Sequence, residues 1–175
     1  TGSYLAFTPT AGNIYELSVT MDNTTGNSQY ISLGFSDTAG RMDGNGLGWM
    51  ALRGARAAAT GLITHIGTGS SGTLEYGTDD GLAASGAVDL LVRLDASDAN
   101  ASNWSLEYKV DGSTIRTVSS IGDTRLANIS YVGLFETDST GSVDDFQLEV
   151  IPEPATIGML GVAVFGLFAV RRLMI

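Results

Sequence analysis

The segment VDDFQLEV, residues 143–150, sets Asp145, Gln147 and Glu149 at alternate positions. In an extended chain that spacing puts all three side chains on one face, opposite Phe146, Leu148 and Val150. Two carboxylates flanking a glycosidic bond can hydrolyse it, one as acid and the other as base or nucleophile. Here the middle position is an amide, and a solvated strand face has the same composition. No catalytic residue is assigned, and the chain is read as a non-enzyme. The remaining catalytic repertoire is narrow. With no cysteine in the chain, disulfides, thiolate metal sites and a cysteine nucleophile are all excluded. The single histidine, His65, cannot make a zinc cluster, and its setting in LITHIG alternates like a strand, so it reads as structural.

Hard oxygen donors of the kind calcium takes fall in three turn-like stretches: Asp37, Asp43 and Asn45; Asp79 and Asp80; and Asp95, Asp98 and Asn100. None has the spacing of a recognised calcium loop, and turns favour Asp and Asn for backbone reasons alone. No cofactor is expected, calcium is the ion the composition admits, and no metal ligands are assigned. Trp49, Trp104 and the tyrosines are the groups that could stack on a sugar ring, although Trp104 is in phase with a core face. The charge balance, 9 basic against 19 acidic residues, repels phosphate backbones and excludes nucleic acid as a partner.

The elements that would position these groups are strands. IYELSVTM interleaves Tyr15, Leu17, Val19 and Met21 with polar residues, the pattern of a half-buried strand. Ile31, Leu33 and Phe35 in QYISLGFS follow the same rule, as do Val88 to Leu94 in AVDLLVRLD and Trp104 to Val110 in NWSLEYKVDG. Further strands are expected at LGWMALR, GLITHIG, STIRTVS, ISYVGLF and VDDFQLEV. Turn signals rich in Gly, Asp, Asn and Ser separate them, and the DG of VDGSTIRTV is the sharpest hairpin. ARAAATG alone has helical propensity in the body. About ten short strands without a helix predict an all-β antiparallel sandwich spanning residues 1–151.

In strand order and spacing, this body resembles the concanavalin A-like, laminin-G-like jelly roll over Ser3 to Val150. Many members of that group bind sugars or calcium, through loops too variable to carry a ligand residue across. The chain starts at Thr1 without an apolar leader, as a secreted protein does after its signal peptide is removed.

The carboxyl end has a different chemistry. From Ala155 to Val170 no residue is charged, and Arg171 and Arg172 close the run. As a helix it would span roughly 24 Å, close to the roughly 30 Å of a bilayer core, and its apolar groups surround the axis. A transmembrane helix over residues 155–175 is expected, with the arginines on the cytoplasmic side and the sandwich outside. Gly158, Leu160, Gly161, Phe165, Gly166 and Phe168 are its packing positions, small residues letting neighbouring helices approach. Pro152, Glu153 and Pro154 form an extended link that stops the last strand from entering the helix.

Pro-Glu-Pro, an apolar helix and an arginine cluster, in that order, resemble the PEP-CTERM sorting signal of exported bacterial proteins. The resemblance implies recognition by an exosortase-type enzyme, cleavage near residues 152–154 and transfer to the cell surface or extracellular matrix. Leu173, Met174 and Ile175 depart from it by following the arginines. The functional expectation is a surface or matrix protein for adhesion or structure, initially anchored in the inner membrane. If the tail persists, its helices can bundle with neighbours into a fibre core. The alternative is a carbohydrate-binding, lectin-like module facing extracellular polysaccharide.

Overall fold

The computed structural model describes residues 2–23, 30–39, 46–53, 62–65, 77–79, 86–118, 124–136 and 141–152. They form eleven strands: β1 (Gly2–Ala6), β2 (Asn13–Asn23), β3 (Tyr30–Ser36), β4 (Gly46–Arg53), β5 (Leu62–His65), β6 (Gly77–Asp79), β7 (Val88–Ala96), β8 (Ser105–Val110), β9 (Ser113–Val118), β10 (Tyr131–Glu136) and β11 (Gly141–Pro152). Two short 3-10 turns, Ala101–Asn103 and Thr124–Asn128, complete the described elements. Every strand pair is antiparallel. One sheet has the order β1-β10-β3-β4-β5-β6 and the other β11-β2-β7-β8-β9. This is the jelly-roll sandwich expected of the sequence.

The alternating residues fill the space between the sheets. Tyr15, Leu17, Val19 and Met21 of β2, Val88, Leu90, Val92 and Leu94 of β7, and Leu106, Tyr108 and Val110 of β8 face Ile31, Leu33 and Phe35 of β3. Each large side chain so buried contributes roughly 1.5–3 kcal/mol. Trp104 joins this core, its indole Nε1 donating to the Asp98 carbonyl at 2.8 Å. β4 departs from simple alternation. Phe35 pairs with Gly48 and Ser36 with Gly46, so Leu47 is an extra residue. Beyond this bulge the phase inverts, and Leu47 and Met50 both enter the core while Trp49 and Ala51 turn to the outer face.

The β8–β9 hairpin turns at Asp111 and Gly112, with φ of 49° and 76°. Positive φ at both central residues is what a tight hairpin between right-twisted strands requires. The segments ARAAATG and 155–175 lie outside the described residues. Among the described residues, no helix is long and apolar enough to cross a membrane.

The last strand is longer than expected. β11 continues to Pro152, which pairs with Asn13. A proline is tolerated there because β11 is an edge strand, so a missing N–H costs no ladder bond on the open side.

Candidate functional site

The outer face of the five-stranded sheet carries the polar residues that alternate with the core. Register aligns them in rows across the strands. Gln147 of β11, Ser18 of β2, Leu91 of β7 and Lys109 of β8 stand side by side. One row towards the chain's carboxyl end come Glu149, Glu16, Arg93 and Glu107, and one row the other way Asp144, Thr20 and Asp89.

β11 is interrupted between these rows. Asp144 pairs with Thr20 and Gln147 with Ser18, leaving Asp145 and Phe146 opposite Val19 alone. Two residues against one make a β-bulge, and Asp145 takes φ of 53° to accommodate it. The Asp145 amide N–H donates to Asp144 Oδ1 at 2.9 Å, while Phe146 packs against the core. The bulge walls one side of a groove of about 610 Å³, lined also by Ser18, Thr20, Asp89, Leu91, Lys109 and Gly112.

The groove is held by short contacts. Thr20 Oγ1 donates to Asp89 Oδ1 at 2.7 Å. The Asp89 amide donates to Asp111 Oδ1 at 2.9 Å and the Asp111 amide to the Asp89 carbonyl at 2.8 Å, which clasps the hairpin carrying Gly112 to the start of β7. At the other wall, Lys109 Nζ lies 3.5 Å from Glu107, and Arg93 lies 3.4 Å from Glu107 and 3.8 Å from Glu16. Partial burial works to raise the Glu107 pKa, but the Thr114 hydroxyl at 2.6 Å and the two cations outweigh it and hold the carboxyl below its ordinary range. The arrangement offers hydroxyls, an amide, carboxylates and an ammonium around the apolar Leu91.

The structure sorts the sequence candidates. Asp145 and Gln147 line the groove, whereas Glu149 lies one row away opposite Glu16. Trp49 and Trp104, considered as stacking surfaces, are 4% and 5% exposed and present no open face. Trp49 instead packs with Ala51 against Tyr4 and Phe135.

In the third oxygen-rich turn the donors serve the chain itself. Asp95 Oδ1 accepts from the Ser97 amide, Asp98 from the Asn100 amide and the Asn103 side chain, and Asn100 from the Ser102 amide. The backbone bond to Asn100, with that from Asn103, keeps the Asp98 pKa below its ordinary value. Among the described residues, no three His, Cys, Asp or Glu side chains are grouped to hold a metal. Asp43, Asn45 and Asp80 lie outside the described residues, as do Glu153, Pro154, Gly158, Leu160, Gly161, Phe165, Gly166, Phe168, Arg171 and Arg172. Of His65 the structure fixes only its backbone place, paired with Trp49. Sequence reading misses Thr20, Asp89 and Lys109 as a group, since only strand register joins residues so far apart in the chain.

Two facing antiparallel sheets with this strand order define a jelly-roll β-sandwich of the concanavalin A-like kind. A variant of human galectin-16 has the same fold, with a TM-score of 0.56 and 13% identity over 84% of this chain and 94% of that one. An endo-1,3-β-glucanase from Streptomyces sioyaensis matches with a TM-score of 0.56 and 15% identity over 85% of this chain and 68% of its own. An alginate lyase of polysaccharide lyase family 7 matches with a TM-score of 0.52 and 13% identity, over 85% and 65% respectively. Lectins and enzymes thus share the scaffold, and at such identity the likeness is one of fold. No curated protein is similar to the chain in sequence.

The carboxyl end is more specific: residues 150–172 match the PEP-CTERM protein-sorting motif. The motif marks an exosortase-targeted protein that is exported with its carboxyl end anchored in the membrane before display at the surface.

Proposed function

We propose that the chain is a surface or matrix protein serving adhesion or matrix structure, and that the groove beside the β11 bulge is its contact with extracellular polysaccharide. The observation that carries this reading is the placement of groove and sorting motif on one domain. Pro152, Asn13 and Ala96 pair at one end of the five-stranded sheet. Thr20 lies seven residues along β2 from Asn13, so at about 3.3 Å per residue the groove opens roughly 20 Å away from the anchored end.

The groove's chemistry suits a neutral glycan. Sugar hydroxyls both donate and accept, matching the side chains of Ser18, Thr20, Gln147 and Asp89, while Leu91 meets the apolar face of a ring. The net charge of −10 disfavours a polyanionic chain. Binding fits better than hydrolysis, because Glu149 is outside the groove and, of the two carboxylates that line it, Asp89 is engaged by the Thr20 hydroxyl at 2.7 Å.

Pro152, Glu153, Pro154, Arg171 and Arg172 are read as the elements that the exosortase and membrane recognise. The glycine- and phenylalanine-bearing run beyond them is read as the membrane-held segment and, where it stays on the chain, as a self-association element.

The test is titration of the chain in detergent against neutral glucans and galactans, with Thr20→Val and Gln147→Ala alongside. Binding that weakens several-fold in both variants supports the groove. Binding that is absent from the parent, or equal in all three, removes it. Polysaccharide release that disappears in Asp145→Asn would move the protein to the enzymes.

A further inference from the structure

The sorting motif and the folded domain share residues. The motif begins at Val150, and Val150, Ile151 and Pro152 are strand residues paired with Tyr15, Ile14 and Asn13. No linker separates the sandwich from the signal. A processing enzyme that takes an extended segment into its cleft must close around the main chain, and in β11 one lateral edge of that chain is hydrogen-bonded to β2.

The bulge divides this commitment. Upstream of it β11 pairs from Gly141 to Asp144, and downstream from Gln147 to Pro152. The downstream part is an edge segment held by six ladder pairs with modest burial. Leu148 packs against the core, Ile151 is half-buried and Val150 is 50% exposed. Short edge segments with little buried apolar surface belong to the low-stability end of a fold and open without global unfolding.

We propose that Gln147–Pro152 is a releasable strand end that gates processing: paired, it withholds the first residues of the sorting motif, and unpaired as far as the bulge, it presents them. The rest of β11, together with Phe146 at the bulge, keeps the core closed while the end is out. The proposal goes beyond polysaccharide binding and does not depend on it.

The absence of cysteine makes a direct test clean. Glu16 and Glu149 are cross-strand partners outside the groove. Paired strand residues lie at Cα separations a disulfide can bridge. The full chain carrying Glu16→Cys and Glu149→Cys is presented, oxidised or reduced, to membranes containing an active exosortase, and the product is read by mass. Complete disulfide formation is verified first. The oxidised chain is expected to be processed at least roughly tenfold more slowly than the reduced one, because the strand end can no longer open.

A second variant inserts six Gly/Ser residues between Glu149 and Val150 of the same chain, giving the motif a flexible lead. It is expected to be processed faster than the parent and equally fast oxidised or reduced. Equal rates for the oxidised and reduced chains without the insert overturn the gate. Slowing by the disulfide that persists with the insert also overturns it, since the crosslink would then act by something other than holding the strand.

Discussion

The hydroxyl of Thr20 and the carboxylate of Asp89 meet at 2.7 Å across the β2–β7 pair, 69 residues apart in the chain. The contact fixes Asp89 at the groove while the clasp to Asp111 fixes its backbone. Thr20→Val keeps the β-branched shape that suits a strand and deletes the bond. Because the pair is exposed, the stability loss is expected at the low end of about 0.5–1.5 kcal/mol. Urea denaturation should show a small shift in midpoint at unchanged slope, and a shift above about 2 kcal/mol would mean that the pair is buried in solution.

Gly133 and Gly34 are cross-strand partners with Tyr4 beyond one and Trp49 beyond the other. A Cβ on Gly133 would sit 2.4 Å from the Ser3 carbonyl, and one on Gly34 2.5 Å from the Gly48 carbonyl. Backbone cannot yield as a side-chain tip does, so Gly133→Ala and Gly34→Ala are each expected to cost about 1–3 kcal/mol. Gly112→Ala tests a different cause. Nothing obstructs a Cβ there, but φ is 76°, so the cost is backbone strain of about 1 kcal/mol. Thermal melts that rank Gly112→Ala below the other two check the distinction.

Two carboxyls give stability a pH dependence of known sign. The folded-state pKa values of Glu107 and Asp98 are both lowered, so each contributes stability above its unfolded pKa. That contribution is lost as pH falls through the lower folded value. For Glu107 the supporting groups are Thr114 and the cations Lys109 and Arg93, working against partial burial. Thr114→Val and Asn103→Ala should therefore each flatten the acid limb of a plot of unfolding free energy against pH and leave the slope near pH 7 unchanged. An acid limb identical to the parent in both variants would contradict these assignments.

Much of this fold can be read from alternation because β2, β7 and β8 are buried on one side only, whereas β3 and β4 are buried on both. β2, β7 and β8 present their apolar faces as their spacing requires, and the Asp-Gly hairpin turns where positive φ is needed. β1 and β6 carry no such signal. GSYLA has no polar alternation, and GTD is too short to show a period. The bulge at Leu47 is also hidden, since an inserted residue reverses the phase without changing composition. The groove is least legible of all. Asp145 and Gln147 stand out locally, but Thr20, Asp89 and Lys109 join them only through register, and Glu149 keeps its face yet falls one row outside.

The final prediction concerns the apolar run from Ala155 to Val170. A chain ending at Pro152 keeps every described strand and the whole ladder between β11 and β2. It is therefore expected to fold alone, to unfold cooperatively and to sediment as a monomer in plain buffer. The full chain adds an uncharged, mostly apolar run from Ala155 to Val170, which water solvates poorly. It is expected to need detergent, lipid or other copies to cover that surface. Analytical ultracentrifugation of both chains, with and without detergent, separates the cases. Without detergent the full chain should sediment as an assembly, and elongated particles by electron microscopy would favour fibres built through Gly158, Gly161 and Gly166. A full chain that stays monomeric in plain buffer would refute the expectation that residues 155–170 need cover, and with it the fibre reading.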